Sequence, residues 1–97
     1  MENKMSILGV EYEIVSPEEL NAGEEQIGGF HDGFERKLFV AQHEVKEFMR
    51  TCLLHEALHA MFFEAGFENY SDDEKLISAL EHLLPKVSGE FKRHNLI

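Results

Sequence analysis

In the stretch TCLLHEALHAMFF, residues 51 to 63, two histidines stand four apart with a glutamate directly after the first. On an α-helix, residues four apart lie on one face, so His55 and His59 can aim ring nitrogens at a single metal ion. Glu56, one position on, points toward where a water on that ion would sit and can take its proton as general base. Zinc suits this set, because it accepts imidazole nitrogen and carboxylate oxygen and polarises water without redox chemistry. The setting matters as much as the spacing. Three titratable groups in the most hydrophobic segment are costly to bury unpaired, and a metal ion compensates all three.

The competing reading satisfies both histidines with core hydrogen bonds and pairs Glu56 with a nearby cation. Only nine Lys and Arg are available in the whole chain for that task. Six His and sixteen Glu in 97 residues give about 0.06 chance occurrences of H-E-x-x-H. Placement inside an apolar helix therefore carries the argument, with Phe48, Cys52, His55 and His59 on one flank of that helix.

A helix supplies two ligands, and a catalytic zinc site takes a third with water in the fourth position. The segment SDDEKLISALEHLLP offers Glu74 and Glu81, seven apart and nearly on one face. Each has a plainer role open to it. Ser71 and Glu74 fit a capping box at a helix start, and Glu81 fits a solvated polar face.

These residues need elements to position them. LGVEYEIV alternates, with Leu8, Val10, Tyr12 and Ile14 on one face, which predicts a half-buried strand. SPEEL predicts a short helical turn capped by Ser16. Around GGFHDGFERKLFVA, glycines between apolar runs predict a hairpin, with its turn at Asp32-Gly33 or at 34–37 and KLFVA as the returning strand. The spacing predicts a helix over 44–64, with Val45, Phe48, Met49, Cys52 and Phe63 on one buried face, stopped near Gly66. A loop, FENY, then leads to a second amphipathic helix with Leu76, Ile77, Ala79, Leu80, Leu83 and Leu84 as core candidates, ended or kinked by Pro85. The result is one α+β domain over residues 1–97, with a small antiparallel sheet of about three strands against two main helices.

Bulk properties narrow the function classes. The length allows one modest core. A net charge of -10 repels phosphate backbones and argues against nucleic acid as a partner. No apolar run is long enough for a signal peptide or a membrane span, and the single cysteine, Cys52, fits a core thiol in a reducing cytoplasm.

The strand, the hairpin, the TCLLHEALHA helix and the acidic helix after it resemble minimal zinc-metallopeptidase-like proteins of phages and prophages. These are similar to the ImmA/IrrE metallo-endopeptidase family. The resemblance covers most of residues 7 to 85. EKLISALEHLLP is similar to the family pattern E-A-N-x-F-A-x-x-L-L-x-P, with Pro85 on its proline, although Lys75-Leu76 and Ser78-Ala79 depart from Ala-Asn and Phe-Ala. The resemblance implies a zincin-like fold, one zinc per chain, His55, His59 and Glu74 as ligands, and Glu56 as the catalytic base.

The expected function is hydrolysis of a peptide bond in a protein substrate or regulator, with the substrate held as an extra strand along KLFVA. His31 in the hairpin and Tyr70 are further candidates, His31 for stabilising an oxyanion. His43, His82 and His94 read as surface residues. The alternative is a catalytically inactive metal-binding module in which the ion joins the two helices and the function is to bind a regulatory protein.

Overall fold

The structure, a computed structural model, describes residues 3–97. Two β-hairpins are laid side by side. The first joins β1 (Lys4–Ile7) to β2 (Val10–Val15), and the second joins β5 (Gly29–Asp32) to β6 (Lys37–Val40). Their inner strands, β2 and β6, run parallel, so the sheet order is β1-β2-β6-β5. Between the hairpins, β3 (Asn21–Ala22) and β4 (Glu25–Gln26) form a separate two-stranded ribbon. The sheet is thus four-stranded and mixed, not the three-stranded antiparallel sheet expected. The α+β class holds.

Local chemistry accounts for most of the differences from expectation. In β1, Met5 and Ile7 alternate with Lys4 and Ser6, a pattern too short to stand out from sequence. Its turn is the two-residue Leu8-Gly9, both at positive φ, which matches the twist of a tight hairpin. Leu8 is therefore exposed and not on the buried face with Tyr12 and Ile14. SPEEL forms no helix. Its carbonyls are used elsewhere: Pro17 accepts from the Gln42 backbone N–H, and Ser16 accepts from the Gln42 side chain.

One long helix, α1 (Lys46–Glu64), crosses the sheet. Its deepest residues are Glu56, Ala57, Leu58 and Ala60. Ala57 and Ala60 pack with Ile7, Tyr12 and Leu38, so small residues let the helix axis approach the strands. The buried face is rotated from the expected one, and Val45 and Phe48 are exposed. The helix closes with Gly66 N–H bonded to the Phe63 carbonyl and Phe67 N–H bonded to that of Phe62, a Schellman arrangement. A one-turn helix, α2 (Glu68–Ser71), replaces the expected loop.

The last helix, α3 (Glu74–Arg93), does not end at Pro85. Its N-cap is Asp73, whose carboxylate accepts from Leu76 N–H at 3.1 Å, and not Ser71. Ile77 is its one fully buried residue, and Leu83 and Leu84 are exposed. No helix among the described residues is long and apolar enough to cross a membrane.

Tyr12 ties the sheet to the end of α1. Its ring is fully buried and its hydroxyl donates to Glu64 at 2.6 Å, with Arg36 3.7 Å from the same carboxylate. A carboxylate at a helix C-terminus opposes the helix dipole, and these two partners offset that. Burial, then the Glu64 hydrogen bond, raise the Tyr12 pKa above its ordinary value. Below about pH 10 the hydroxyl is protonated whether the chain is folded or not. Above it only the unfolded chain releases the proton, so stability falls as pH rises. Tyr12→Phe is expected to cost about 1–3 kcal/mol, because it leaves buried Glu64 short of a donor. It should also remove this alkaline loss. Denaturant unfolding at neutral pH and above pH 10 checks both.

Candidate metal centre

The helical spacing delivers the two histidines to one place. His55 and His59 lie on the α1 flank facing the start of α3, with side-chain exposures of 20% and 12%. Between them sits the carboxylate of Glu74, the first residue of α3. His55 Nε2 is 3.0 Å from one of its oxygens and His59 Nε2 is 2.8 Å from the other. The three donor atoms lie within 4.8 Å of one another.

Behind each imidazole, the other nitrogen is held. His55 Nδ1 meets Glu81 at 2.8 Å, so one ring bridges two carboxylates two turns apart on α3. His59 Nδ1 bonds the Ser71 carbonyl, and the Ser71 hydroxyl donates back to the His59 carbonyl at 2.8 Å. Support of this kind, from a carboxylate and a backbone carbonyl, orients histidines that bind metals through Nε2.

The donor set fits a cation. A carbonyl can only accept, so His59 Nδ1 carries the hydrogen, and a neutral ring then presents a lone pair at Nε2. That lone pair faces a carboxylate oxygen, and two acceptors so close need a positive centre between them, which a proton on Nε2 or a metal ion supplies. A tetrahedral zinc with bonds of about 2.0–2.2 Å holds its ligands about 3.4 Å apart. Glu74, whose side chain is 65% exposed, is free to shift the roughly half ångström this needs. Among the described residues, no Lys or Arg pairs with Glu56, Glu74 or Glu81, although three carboxylates surround two imidazoles.

Glu56 lies beside this group without joining it. It is buried at 7% exposure and has no side-chain hydrogen bond or ion pair among the described residues, its carboxylate oxygens keeping a small contact with solvent. Burial raises its pKa, against the lowering effect of His55 and His59. For His55, burial lowers the pKa, but the Glu81 hydrogen bond and the charges of Glu56 and Glu74 outweigh it, so the net shift is upward. The Glu56 carboxylate rests on β5 at Gly29, where an added Cβ would come within 2.8 Å of an oxygen. Any larger residue there would push the carboxylate away.

His31, also on β5, stacks parallel to His59 with ring centroids 6.5 Å apart and lies 3.4 Å from the Tyr12 hydroxyl. Burial, then His59, lower its pKa. Tyr70 packs with Phe62 and Phe67 and is half exposed. His43, His82 and His94 are exposed. Cys52 is a half-buried free thiol against Gly28, its pKa raised by burial and then by Glu56 and Glu81. The sequence alone did not reveal that Glu81 backs His55 or that Ser71 clasps His59. The seven-residue interval from Glu74 was the available sign of the first.

The strand expected at the sheet edge, KLFVA, is interior, and β5 is the edge. The Ala41 N–H bonds the Gly28 carbonyl, so Gly28 and Phe30 face β6. The backbone groups of Gly29 and His31 therefore point outward along the free edge. No protein family, characterised protein or solved structure matches the chain.

The geometry ranks the contributions to metal affinity. His55→Ala, His59→Ala and Glu74→Ala should each abolish tight zinc uptake. Glu81→Ala should weaken it by about 10–100-fold, as loss of an orienting partner does. Asp73→Ala should cost about 1 kcal/mol of stability as a cap loss while leaving affinity unchanged. Zinc titration against a competing chelator measures all five. A larger loss from Glu81→Ala than from Glu74→Ala would reverse the assignment of ligand and support.

Proposed function

We propose that the protein is a zinc-dependent peptide hydrolase with a zincin-like arrangement, in which His55, His59 and Glu74 hold the ion. The single observation carrying this reading is the convergence of both Nε2 atoms on Glu74, with Glu56 unpaired, buried and adjacent. The order of elements and the H-E-x-x-H motif support it through their resemblance to the ImmA/IrrE metallo-endopeptidases and the small phage and prophage proteins like them. The cytoplasm is the compartment that fits the free thiol.

When bound, zinc would polarise a water and the scissile carbonyl. Glu56 takes the proton of the attacking water as the new C–O bond forms, then passes it to the amine nitrogen as the C–N bond breaks. The raised pKa suits a group that must hold that proton in between. His31 offers a ring nitrogen from the β5 side to the developing oxyanion. The substrate is an extended segment of a protein, paired as an additional strand with the outward backbone groups of Gly29 and His31. That edge passes directly over Glu56.

A second reading has its own support. The three metal-binding candidates join α1 to α3, and α3 contributes only Ile77 to the buried interior. An ion there would stabilise the joint by about 4 kcal/mol at a thousandfold excess over its dissociation constant, and the protein could serve as a binding module without hydrolysis.

Glu56→Gln separates the two. It removes a buried charge, so the metal-free variant should be as stable as the natural protein or more so, with zinc affinity kept. Hydrolysis should fall by at least about 100-fold. Mapping new chain termini in bacterial and phage lysates treated with each zinc-loaded form reads this directly. Termini common to both forms, or absent from both, would leave the binding module as the function.

A further inference from the structure

We propose that the C-terminal half of α3 is a self-association surface, through which two copies pair as antiparallel helices to form a weak two-fold dimer. From His82 to Ile97 every residue is exposed except the half-buried Ser88. Yet Leu76, Leu80, Leu83, Leu84, Val87 and Phe91 fall within one arc of about 100°, a continuous apolar stripe about 22 Å long. Its first third lies near the body of the protein. The rest, with Leu83 at 54%, Val87 at 46% and Phe91 at 44% exposure, has nothing against it among the described residues.

This half-helix is also a poor helix by itself. Pro85 removes a backbone hydrogen bond inside it, and Gly89 costs about 1 kcal/mol relative to alanine. About two bare turns beyond a proline are not held by propensity. Packing has to hold them.

Charge points to a second copy as the occupant. Lys86 and Glu90 lie on the same flank of the stripe; Lys86 has no ion pair among the described residues, and Glu90, which Arg93 meets at 2.7 Å on its own helix, has acceptor capacity left for a second cation. In an antiparallel pair, like flanks face each other. With the two-fold axis near Val87, Leu83 of each copy meets Phe91 of the other, and Glu90 of each comes within reach of Lys86 of the other, twice. An anionic membrane, the other surface an amphipathic helix with Lys86, Lys92 and Arg93 could meet, is disfavoured by the net charge of -10. The exposed apolar area of the stripe and of Leu96 and Ile97 is on the order of 500 Å² per copy, below the usual 800 Å² of a stable interface. The dimer should therefore dissociate in the micromolar range.

Sedimentation velocity over about 1–500 µM tests the proposal. The natural protein should pass from monomer to dimer, and Val87→Glu should remain monomeric with an unchanged zinc affinity, which shows that it is folded. Lys86→Glu and Glu90→Lys should each weaken association by at least fivefold, while an equimolar mixture of the two should associate again. That recovery belongs to the antiparallel pairing alone. A natural protein monomeric throughout, a dimer that survives Val87→Glu, or a mixture no better than its components would overturn the proposal. So would a monomer that sediments with vesicles of three parts phosphatidylcholine to one part phosphatidylserine and loses this with Val87→Glu.

Discussion

Both imidazoles of α1 are held at both ring nitrogens, and the positions of the other helices follow from that. The four-residue interval puts His55 and His59 on one flank, but rings on a lone helix would turn freely about their side-chain bonds. Glu81 and the Ser71 carbonyl fix them from behind, and Glu74 lies in front. To supply these groups, the chain must reverse within a few residues of Glu64. The Schellman closure at Gly66 and the single turn of α2 make that reversal and deliver Ser71 beside His59. With the Ser71 hydroxyl engaged by the His59 carbonyl, capping of α3 falls to Asp73. Glu74 is left at the first helical position with its side chain free to face the imidazoles.

Glu56 lies on the other side of that arrangement. A carboxylate on the sheet-facing side of a helix, with no hydrogen-bond donor among the described residues, works against folding. Most of α1 compensates with small residues, since Ala57 and Ala60 allow close approach to Tyr12 and Leu38. The same close approach leaves no room for a Cβ at Gly29, and so brings a free strand edge against the carboxylate. A residue that destabilises the fold yet sits where an edge strand and two oriented imidazoles meet is the pattern expected where function opposes stability.

What was legible in the sequence was local. H-E-x-x-H, the extent of α1 to within two residues, the β5–β6 hairpin and the nearness of Glu74 to the two histidines all rest on short-range spacing or on motif resemblance. Direction and depth were not legible. Nothing in VEYEIV or KLFVA states that the two strands run parallel, because that pairing joins segments more than twenty residues apart. The edge strand was accordingly misplaced by one position in the sheet. The amphipathic pattern also gave a buried face for α1 that included Val45 and Phe48. The sheet covers a different arc, through Ala57 and Ala60, and places the histidines at its shoulder.

Pro85 shows how a strong local rule yields to a longer pattern. Proline inside a helix argues for a stop or a kink, and the sequence reading placed one or the other at Pro85. The apolar spacing nevertheless continues through Val87 and Phe91 at helical intervals, in phase with Leu76, Leu80 and Leu83. Of that stripe, only the portion beside α1 has a covering neighbour, and Ile77, one position around the helix, is the residue that goes fully inside. The two carboxylates of α3 that hold the histidines, Glu74 and Glu81, lie within the anchored portion, ahead of the proline. The hydrogen bond that Pro85 cannot make is the one to the Glu81 carbonyl, so the ladder is interrupted at the residue that backs His55.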